Sequence, residues 1–284
     1  MSSSPIENLT TLTVSIEDKI AHIVLSRPEQ LNSMIPEFWH ELPEAVRFID
    51  ENSLARVIVI SAQGKHFSAG MDLSVFQNMQ SSFEGEPGRR AERLRRMVLE
   101  LQDSFNALEE IRIPVLAAVH GAVVGGAVDM ISACDCRYAT QDSFFTIKET
   151  QIGMTADVGT LQRLPHLMSQ GLVKELAYTG RNFPAAEALD HGFINAVYPD
   201  QESMLAAVFK LAKQMAINSP LAVSGCKSML NYSRDHSVND SLTYMATWQS
   251  GMFQMPDVME ALKSEQQKKL PEFDELHPKH KQMK

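Results

Sequence analysis

The chain has 284 residues, of which 44% are hydrophobic and 21% are charged, as in a folded globular protein rather than a disordered one. Its 35 acidic residues exceed its 26 basic residues, and the net charge of −9 argues against nucleic-acid binding as the main role. Three cysteines are too few for a disulfide framework, and no Cys or His pair follows them at zinc-binding spacing, so no metal site is expected.

Neither a targeting signal nor a membrane segment is expected. The first twenty residues include Glu7, Glu17 and Asp18 and lack the apolar core of a signal peptide. The nearly uncharged run 113–134 is interrupted by Pro, His, Asp and glycines, which favours a buried strand, a turn and a buried helix over a membrane span. We therefore expect a cytoplasmic protein that does not insert into membranes.

The first elements follow from hydrophobic patterning. Apolar and polar residues alternate over 12–16, and a second, mostly apolar run at 20–25 follows the polar turn at 17–19. This pattern predicts a β-hairpin. A helix is predicted from about Pro36 to Asp50, with Pro43 bending it or restarting it. The continuous apolar run 56–61 is typical of a strand in a sheet that is covered on both faces.

Further along, polar residues 79–90 predict a loop, and strands then alternate with helices. The predicted elements are a helix at 90–111, a strand at 115–119, a helix at 126–133, strands at 136–139 and 144–147, and helices at 160–168, 170–179, 202–217, 220–231, 238–254 and 256–268. This order predicts an α/β fold with parallel strand pairing. We expect a core at 1–200 and a helical region at 201–284.

Two glycine-rich turns follow apolar strands, at 65–72 and 120–129. Neither matches the dinucleotide pattern or the phosphate-binding loop. Each can be explained as a tight strand-to-helix connection. Together they can present backbone N–H groups to a developing oxyanion, because glycine allows close approach and a helix N-terminus adds a positive dipole end.

Three carboxylates follow these turns: Asp129, Glu149 and Asp157. Each also has a structural explanation when it is considered alone. Asp129 can be an acid in the first turn of a helix, Glu149 a surface acid at the end of a strand, and Asp157 a helix cap. Inside an apolar cavity, however, carboxyl groups have raised pKa values that suit proton transfer to and from carbon.

Several blocks of the sequence, spread over about residues 12–200, resemble the crotonase family of enoyl-CoA hydratases and isomerases. The matching blocks are Ser68-Ala-Gly-Met-Asp72, Pro114-Val-Leu-Ala-Ala-Val-His-Gly, Gly125-Gly126, Cys134-Asp-Cys-Arg and Leu189-Asp-His-Gly-Phe-Ile-Asn. The resemblance implies a crotonase-like spiral of ββα units with a C-terminal helical trimerisation region. It also implies a homotrimer or homohexamer, and the apolar stripe Leu242, Met245, Met252 and Met259 needs such a partner surface.

The resemblance also assigns site residues. The oxyanion hole falls on the N–H groups of Met71 and Gly126. The substrate-binding residues are then Ser68, Ala69, Gly70, Met71, Asp72 and Gly126. The positions of the two hydratase glutamates hold Asp129 and Glu149 here, and Asp157 is an addition that, with the string from Lys148 to Pro165, is similar to the dienoyl-CoA isomerases.

The implied activity is isomerisation of 3,5-dienoyl-CoA to 2,4-dienoyl-CoA in fatty-acid β-oxidation. Asp157 would remove a proton from C2, Glu149 would return one at C6, and Asp129 would orient or polarise the diene. No metal or redox cofactor is implied, and coenzyme A is part of the substrate. The alternatives are a 2-enoyl-CoA hydratase that uses Asp129 and Glu149, a hydrolase or decarboxylase relative, and a non-catalytic scaffold or RNA-binding protein of the same fold.

Overall fold

The structure is a computed structural model that describes residues 6–78 and 85–279, with the backbone alone at 76–78. In these residues it contains nine strands. They are β1 (Leu12–Glu17), β2 (Ile20–Leu25), β3 (Val57–Ala62), β4 (Val115–Val119), β5 (Ala122–Val124), β6 (Cys136–Thr140), β7 (Phe144–Thr146), β8 (Phe183–Pro184) and β9 (Ala196–Tyr198).

The strands form one large sheet and one small sheet. The large sheet has the order β1-β2-β3-β4-β6-β9, and the small sheet has the order β5-β7-β8. β1 and β2 form the predicted antiparallel hairpin, with Leu12 opposite Leu25 and Glu17 opposite Ile20. Every other neighbouring pair in the large sheet is parallel. The expected α/β architecture with parallel pairing is therefore confirmed.

The described residues also form eleven helices. They are α1 (Pro36–Glu51), α2 (Leu73–Asn78), α3 (Pro87–Glu110), α4 (Gly126–Ser132), α5 (Thr160–Arg163), α6 (Gln170–Thr179), α7 (Ala185–Asp190), α8 (Gln201–Ile217), α9 (Pro220–Ser233), α10 (Val238–Met252) and α11 (Met255–Gln267).

Both faces of the large sheet are covered, which explains the continuous apolar runs of β3 and β4. Every residue of these two strands is buried. The side chains of Ile58 and Ile60 join the main core, whereas Val57 and Val59 pack in a second cluster against α8. Alternation along the strand thus sends successive side chains into two separate cores.

Helix α1 runs from Pro36 to Glu51 and continues through Pro43, so of the two outcomes expected at Pro43, a bend or a restart, the restart does not occur. Helix α3 begins at Pro87, earlier than predicted, because the carboxylate of Glu86 accepts hydrogen bonds from the N–H groups of Gly88 and Arg89. The end of the predicted loop at 79–90 is therefore helical, which corrects that prediction. Residues 79–84 lie outside the described residues.

Other differences concern short elements. The helix predicted at 160–168 is the single turn α5 followed by a 3₁₀ turn at Leu164–His166. Pro165 lies in that turn, and its missing N–H cannot extend the α-helical hydrogen bonding. Strands β5, β8 and β9 and helices α2 and α7 were not predicted; each has two to six residues, which is too short for a periodic signal.

The four helices predicted after residue 200 are present, so the expected C-terminal helical region is confirmed. Helix α8 packs on β3, β4 and β6, and its buried side chains belong to the second core cluster. Helix α10, in contrast, contacts α9 and buries no residue of its own. The boundary near residue 200 stays a prediction. In the described part of the chain, no helix combines the length and hydrophobicity needed to cross a membrane.

Candidate active site

The first glycine-rich turn, at 65–72, leaves the end of β3 and is tied to two other segments. The N–H of Ser68 donates to the carbonyl oxygen of Ala122 at 3.2 Å, and the N–H of Val124 donates to that of Ser68 at 3.1 Å. The Ser68 hydroxyl donates to the carbonyl oxygen of Asn32 and accepts the N–H of Gly70. These bonds hold the first turn beside β5, which leads into the second turn.

Gly70 is required where the two turns meet. Its φ is +81°, a conformation that L side chains rarely adopt. A β-carbon at this position would lie 2.5 Å from the carbonyl oxygen of Val124 and 3.3 Å from the N atom of Gly126. Only glycine therefore allows the first turn to approach the start of α4 this closely.

The second turn places Gly125 directly before helix α4. Gly125 has φ +54°, its N–H donates to the carbonyl oxygen of Thr146 at 2.9 Å, and its carbonyl oxygen accepts the N–H of Val128. Gly126 is the first residue of α4, so its N–H has no acceptor inside the helix. This N–H points out of the helix at the positive end of the helix dipole.

The N–H groups of Met71 and Gly126 form a pair of free donors. Met34 bonds to the neighbours of Met71, donating to the carbonyl oxygen of Gly70 and accepting the N–H of Asp72. Within residues 6–78 and 85–279, neither the Met71 N–H nor the Gly126 N–H has a hydrogen-bond acceptor. A β-carbon built on Gly126 would lie 3.9 Å from the N atom of Met71. Two adjacent donors of this kind can hold an oxyanion.

Next to this pair lies a cavity of about 530 Å³, called the acyl cavity below. Its walls come from the 30–39 segment, the two turns, and the segment after β7. The lining residues are Gln30, Leu31, Ser33, Trp39, Ala69, Met71, Asp72, Leu73, Val124, Gly125, Gly126, Lys148, Glu149, Ile152, Met154, Asp157 and Val158. The lining is thus largely apolar, with a few polar groups at defined places, as in small-molecule binding sites.

Asp129 is fully buried in α4 and does not line the acyl cavity. Its Oδ1 accepts the N–H of Thr160, the first residue of α5, at 2.6 Å. Its Oδ2 is buried without a hydrogen-bond partner among the described residues. Burial is the main cause that raises the pKa of this carboxyl to about 6. Asp129 therefore joins α4 to α5 and lies behind the wall of the cavity.

Glu149 lines the acyl cavity. It begins a 3₁₀ turn, Glu149–Ile152, rather than ending a strand as the sequence suggested. A β-carbon at Gly125 would lie 3.1 Å from Glu149 Oε1, so the glycine leaves room for this carboxyl. Oε2 is buried without a partner among the described residues. Burial, and then the charge of Asp129, raises the pKa of Glu149 to about 7, which makes this group a proton donor or acceptor near neutral pH.

Asp157 also lines the acyl cavity. Its main-chain carbonyl oxygen accepts a hydrogen bond from Gln102 Nε2 of α3 at 2.7 Å, which fixes the segment. The residue before α5 is Gly159, and no side chain caps that helix, so the alternative explanation of Asp157 as its cap is wrong. Burial raises the pKa of the Asp157 carboxyl. Of the three candidate acids, Glu149 and Asp157 therefore line the cavity, and Asp129 does not.

The other predicted binding residues divide into two groups. Ala69 and Asp72 line the acyl cavity together with Met71 and Gly126, whereas Ser68 and Gly70 are buried and shape the turn. Asp72 accepts hydrogen bonds from the hydroxyls of Ser33 and Ser74, which lower its pKa to about 2. Asp72 is therefore ionised near neutral pH. Its hydrogen bonds stabilise the turn, and it does not exchange protons.

The structure brings to the site several residues that the sequence did not indicate. Trp39 lines the cavity, Gln102 holds the Asp157 segment, and Thr160 supplies the hydrogen bond to Asp129. These residues lie on α1, α3 and α5, far apart in the chain. The one local signal is that Trp39 lies in the first turns of an amphipathic helix, which indicates burial but no site.

Comparisons with known proteins identify relatives of this chain. The family model described as enoyl-CoA hydratase/isomerase matches residues 15–276. A mitochondrial Δ(3,5)-Δ(2,4)-dienoyl-CoA isomerase of Rattus norvegicus is 45% identical over 260 residues, which cover 90% of this chain and 79% of the relative. A peroxisomal enzyme of the same name from Arabidopsis thaliana is 38% identical, covering 97% of this chain and 100% of the relative.

Solved structures show the same fold. The crystal structure of an enoyl-CoA hydratase from Bacillus anthracis superposes with a TM-score of 0.82, at 26% sequence identity. The match covers 95% of this chain and 100% of that chain. The expected crotonase-like fold is therefore confirmed, and the similarity in sequence is greater to the two dienoyl-CoA isomerases than to this hydratase.

Proposed function

Because the chain belongs to the enoyl-CoA hydratase/isomerase family, we propose that it is an isomerase that converts 3,5-dienoyl-CoA to 2,4-dienoyl-CoA in fatty-acid β-oxidation. The observation that carries this proposal is that Asp157, a second of the three candidate acids, lines the acyl cavity. Asp157 faces the same cavity as Glu149, so acids are available at two places along a bound acyl chain. The relatives with 38–45% identity that carry this activity in their names support the same conclusion.

The substrate is an acyl-CoA thioester, which fits the family. Its carbonyl oxygen would accept hydrogen bonds from the N–H groups of Met71 and Gly126, which have no acceptor among the described residues. Donors of this kind stabilise a developing oxyanion by about 2.7–4 kcal/mol each. The apolar lining of the cavity accommodates the dienyl carbons.

The reaction that we propose is a proton shift without any change of oxidation state. The Asp157 carboxylate removes a proton from C2, and the electron pair moves onto the thioester oxygen as an enolate. When the enolate collapses, the double bonds move from positions 3 and 5 to positions 2 and 4, and Glu149 delivers a proton to C6. One proton leaves and one returns, so atoms and charge balance.

The electrostatics of the cavity support these roles. A group that delivers a proton must hold one at working pH, and the raised pKa of Glu149, about 7, meets this requirement. The charge of Asp129 contributes to this raised pKa. Asp129 therefore helps Glu149 to hold the proton that it delivers. No metal or redox group enters the proposed steps, since the thioester itself delocalises the negative charge.

A 2-enoyl-CoA hydratase is the second candidate. A hydratase needs two acids around one water molecule, and in this chain they would be Asp129 and Glu149. Asp129 does not line the acyl cavity and already accepts the N–H of Thr160, which disfavours contact with such a water. The non-catalytic alternative is disfavoured because all three acids and the donor pair are present.

An ultraviolet assay separates these candidates. Purified protein is mixed with a synthetic 3,5-dienoyl-CoA. The formation of the 2,4-dienoyl product is followed by its absorbance at longer wavelength, because conjugation of the diene with the thioester carbonyl shifts the absorption to longer wavelength. A parallel assay uses a 2-enoyl-CoA and follows the loss of its conjugated double bond by hydration. We expect rapid isomerisation and slow hydration. Efficient hydration without isomerisation would contradict the proposal.

We also propose a homotrimer or a pair of trimers as the assembly. Helices α10 and α11 expose a run of large apolar side chains, including Leu242, Met245, Met252 and Met259. Apolar surface of this extent on neighbouring helices is typical of an interface.

The compartment remains a proposal as well. The sequence favours the cytoplasm, whereas the relatives are named as mitochondrial and peroxisomal. Fractionation of the source cells, with an antibody against this chain, distinguishes these locations.

A further inference from the structure

A second cavity, of about 570 Å³, lies between helices α1 and α3 on the other side of Trp39. Among the described residues, Trp39 is the one that lines both this cavity and the acyl cavity. The apolar residues that line the second cavity include Pro36, Pro43, Met97 and Leu101, and its charged lining residues are Glu44, Arg47, Arg96, Glu100 and Asp103. The indole of Trp39 is thus a wall between two spaces of similar size.

The wall stands beside the proposed reaction. A β-carbon built on Gly126 would lie 3.7 Å from Cη2 of the indole, so the edge of the ring reaches the donor pair. Helix α3, which forms the far side of the second cavity, also holds the Asp157 segment through Gln102. An acyl group whose thioester oxygen is held by the donor pair would therefore lie beside the indole.

Packing alone holds the indole in place. Its ring centroid lies 5.2 Å from that of Phe105 and 5.7 Å from that of Phe38. Its Nε1 is buried without a hydrogen-bond partner among the described residues, although buried tryptophans usually have one. Replacing the indole with a smaller apolar side chain therefore breaks no side-chain hydrogen bond within the described residues. The backbone remains fixed, because the Trp39 carbonyl oxygen accepts the Ser104 hydroxyl at 2.7 Å.

We propose that Trp39 determines the acyl-chain length that the enzyme prefers, by closing the acyl cavity against the second cavity. This inference rests on the proposed function, since it concerns the part of the acyl-CoA beyond the diene. In the wild-type protein, the indole favours shorter chains. A smaller side chain joins the two cavities and lets a longer apolar chain lie against the apolar residues of the second one.

The test compares two substrates, 3,5-octadienoyl-CoA and 3,5-tetradecadienoyl-CoA, in the wild-type protein and in Trp39→Leu. We expect the ratio of kcat/KM for the longer substrate to that for the shorter one to rise by about tenfold or more in the variant. The accommodation of even one methylene in an apolar pocket has an effect of that size. A ratio that stays within about twofold of the wild-type value would overturn the inference.

Binding of saturated acyl-CoAs makes the inference independent of catalysis. The dissociation constants of octanoyl-CoA and tetradecanoyl-CoA are measured by calorimetry with both proteins. A shift of the ratio toward the longer ligand in Trp39→Leu supports the inference, even if the dienoyl assay shows no isomerisation and the proposed function fails. Isomerisation with unchanged binding and kinetic ratios would leave the function standing and overturn the role of Trp39.

Filling the second cavity provides the matched control. Met97 lines that cavity but not the acyl cavity, so Met97→Trp alone should leave the chain-length ratio unchanged. Added to Trp39→Leu, it should return the ratio to the wild-type value, and a failure to do so would show that the long chain lies elsewhere. If Trp39→Leu does not fold, Trp39→Phe retains the aromatic packing and should give a smaller shift in the same direction, whereas an unchanged ratio would overturn the inference.

Discussion

At the scale of single residues, burial controls the acidity of the three candidate acids, Asp129, Glu149 and Asp157. It is the main cause that raises the pKa of Asp129 to about 6 and that of Glu149 to about 7. The folded protein thus holds protons that the unfolded chain releases near pH 4. Stability contributed by these groups is complete below the unfolded pKa and is lost as the pH rises through the folded pKa.

This sign leads to a prediction for Asp129→Asn. Between about pH 4 and about pH 8, the free energy of unfolding of the variant should gain about 1–3 kcal/mol relative to that of the wild-type protein. The reason is that the variant has no charge to bury at high pH. Urea unfolding at a series of pH values measures this difference, and the comparison between two pH values cancels any constant cost of the amide. If the difference in unfolding free energy between the two proteins did not change with pH, the raised pKa of Asp129 would be contradicted.

The variant Asp157→Asn tests whether Asp157 is the general base that removes the C2 proton. The amide retains the size of the side chain, and the main-chain bond to Gln102 is unaffected. Loss of a general base lowers turnover by about 10²–10⁴-fold, so isomerisation of 3,5-dienoyl-CoA should fall by that amount while the melting temperature changes little. Unchanged isomerisation in the folded variant would assign Asp157 a structural role and favour the hydratase alternative.

At the scale of elements, the site depends on the contact between the 65–72 turn and the start of α4. Gly70→Ala should disturb it, because the new β-carbon would lie 2.5 Å from the carbonyl oxygen of Val124, at a φ of +81°. We expect kcat/KM to fall by about 10²–10³-fold, as when one oxyanion donor is lost, together with a lower melting temperature.

Gly171→Ala is the matched control. Gly171 lies in α6, and apart from its chain neighbours and the nearby helix backbone, no atom of the described residues lies within 4 Å of a β-carbon at that position. Since alanine favours helices by roughly 0.5–1 kcal/mol over glycine, this variant should be slightly more stable and fully active. Normal activity in Gly70→Ala would show that the close contact between the two turns is not needed for catalysis.

At the scale of the whole molecule, the exposed side chains of α10 and α11 predict association. Light scattering at micromolar concentration should give the mass of three or six chains of 31.7 kDa each. The double variant Met245→Lys/Met259→Lys should lower that mass, because it places charges in the apolar surface. Tyr178→Lys, at an exposed position on α6, should leave the mass unchanged. A wild-type mass of one chain would contradict the prediction.

The sequence by itself determined the long elements and the identity of the chemical groups. Continuous apolar runs located β3 and β4, and helical periodicity located α1, α3 and the C-terminal helices, because many residues contribute to each pattern. The glycines of both turns and the three acids were also visible, since the family resemblance rests on local motifs. Strands β5 and β8 were not visible, because three and two residues carry no periodicity and pair only with distant segments.

Only the tertiary structure decided what each group faces. It placed Asp157 and Glu149 on one cavity, Asp129 behind it, and Trp39 between two cavities. These relations join residues that lie tens of positions apart, such as Asp129 with Thr160, and Asp157 with Gln102. Burial, the main cause of the raised pKa values, depends on such long-range packing, which is why the acids could be named from the sequence but their environments could not.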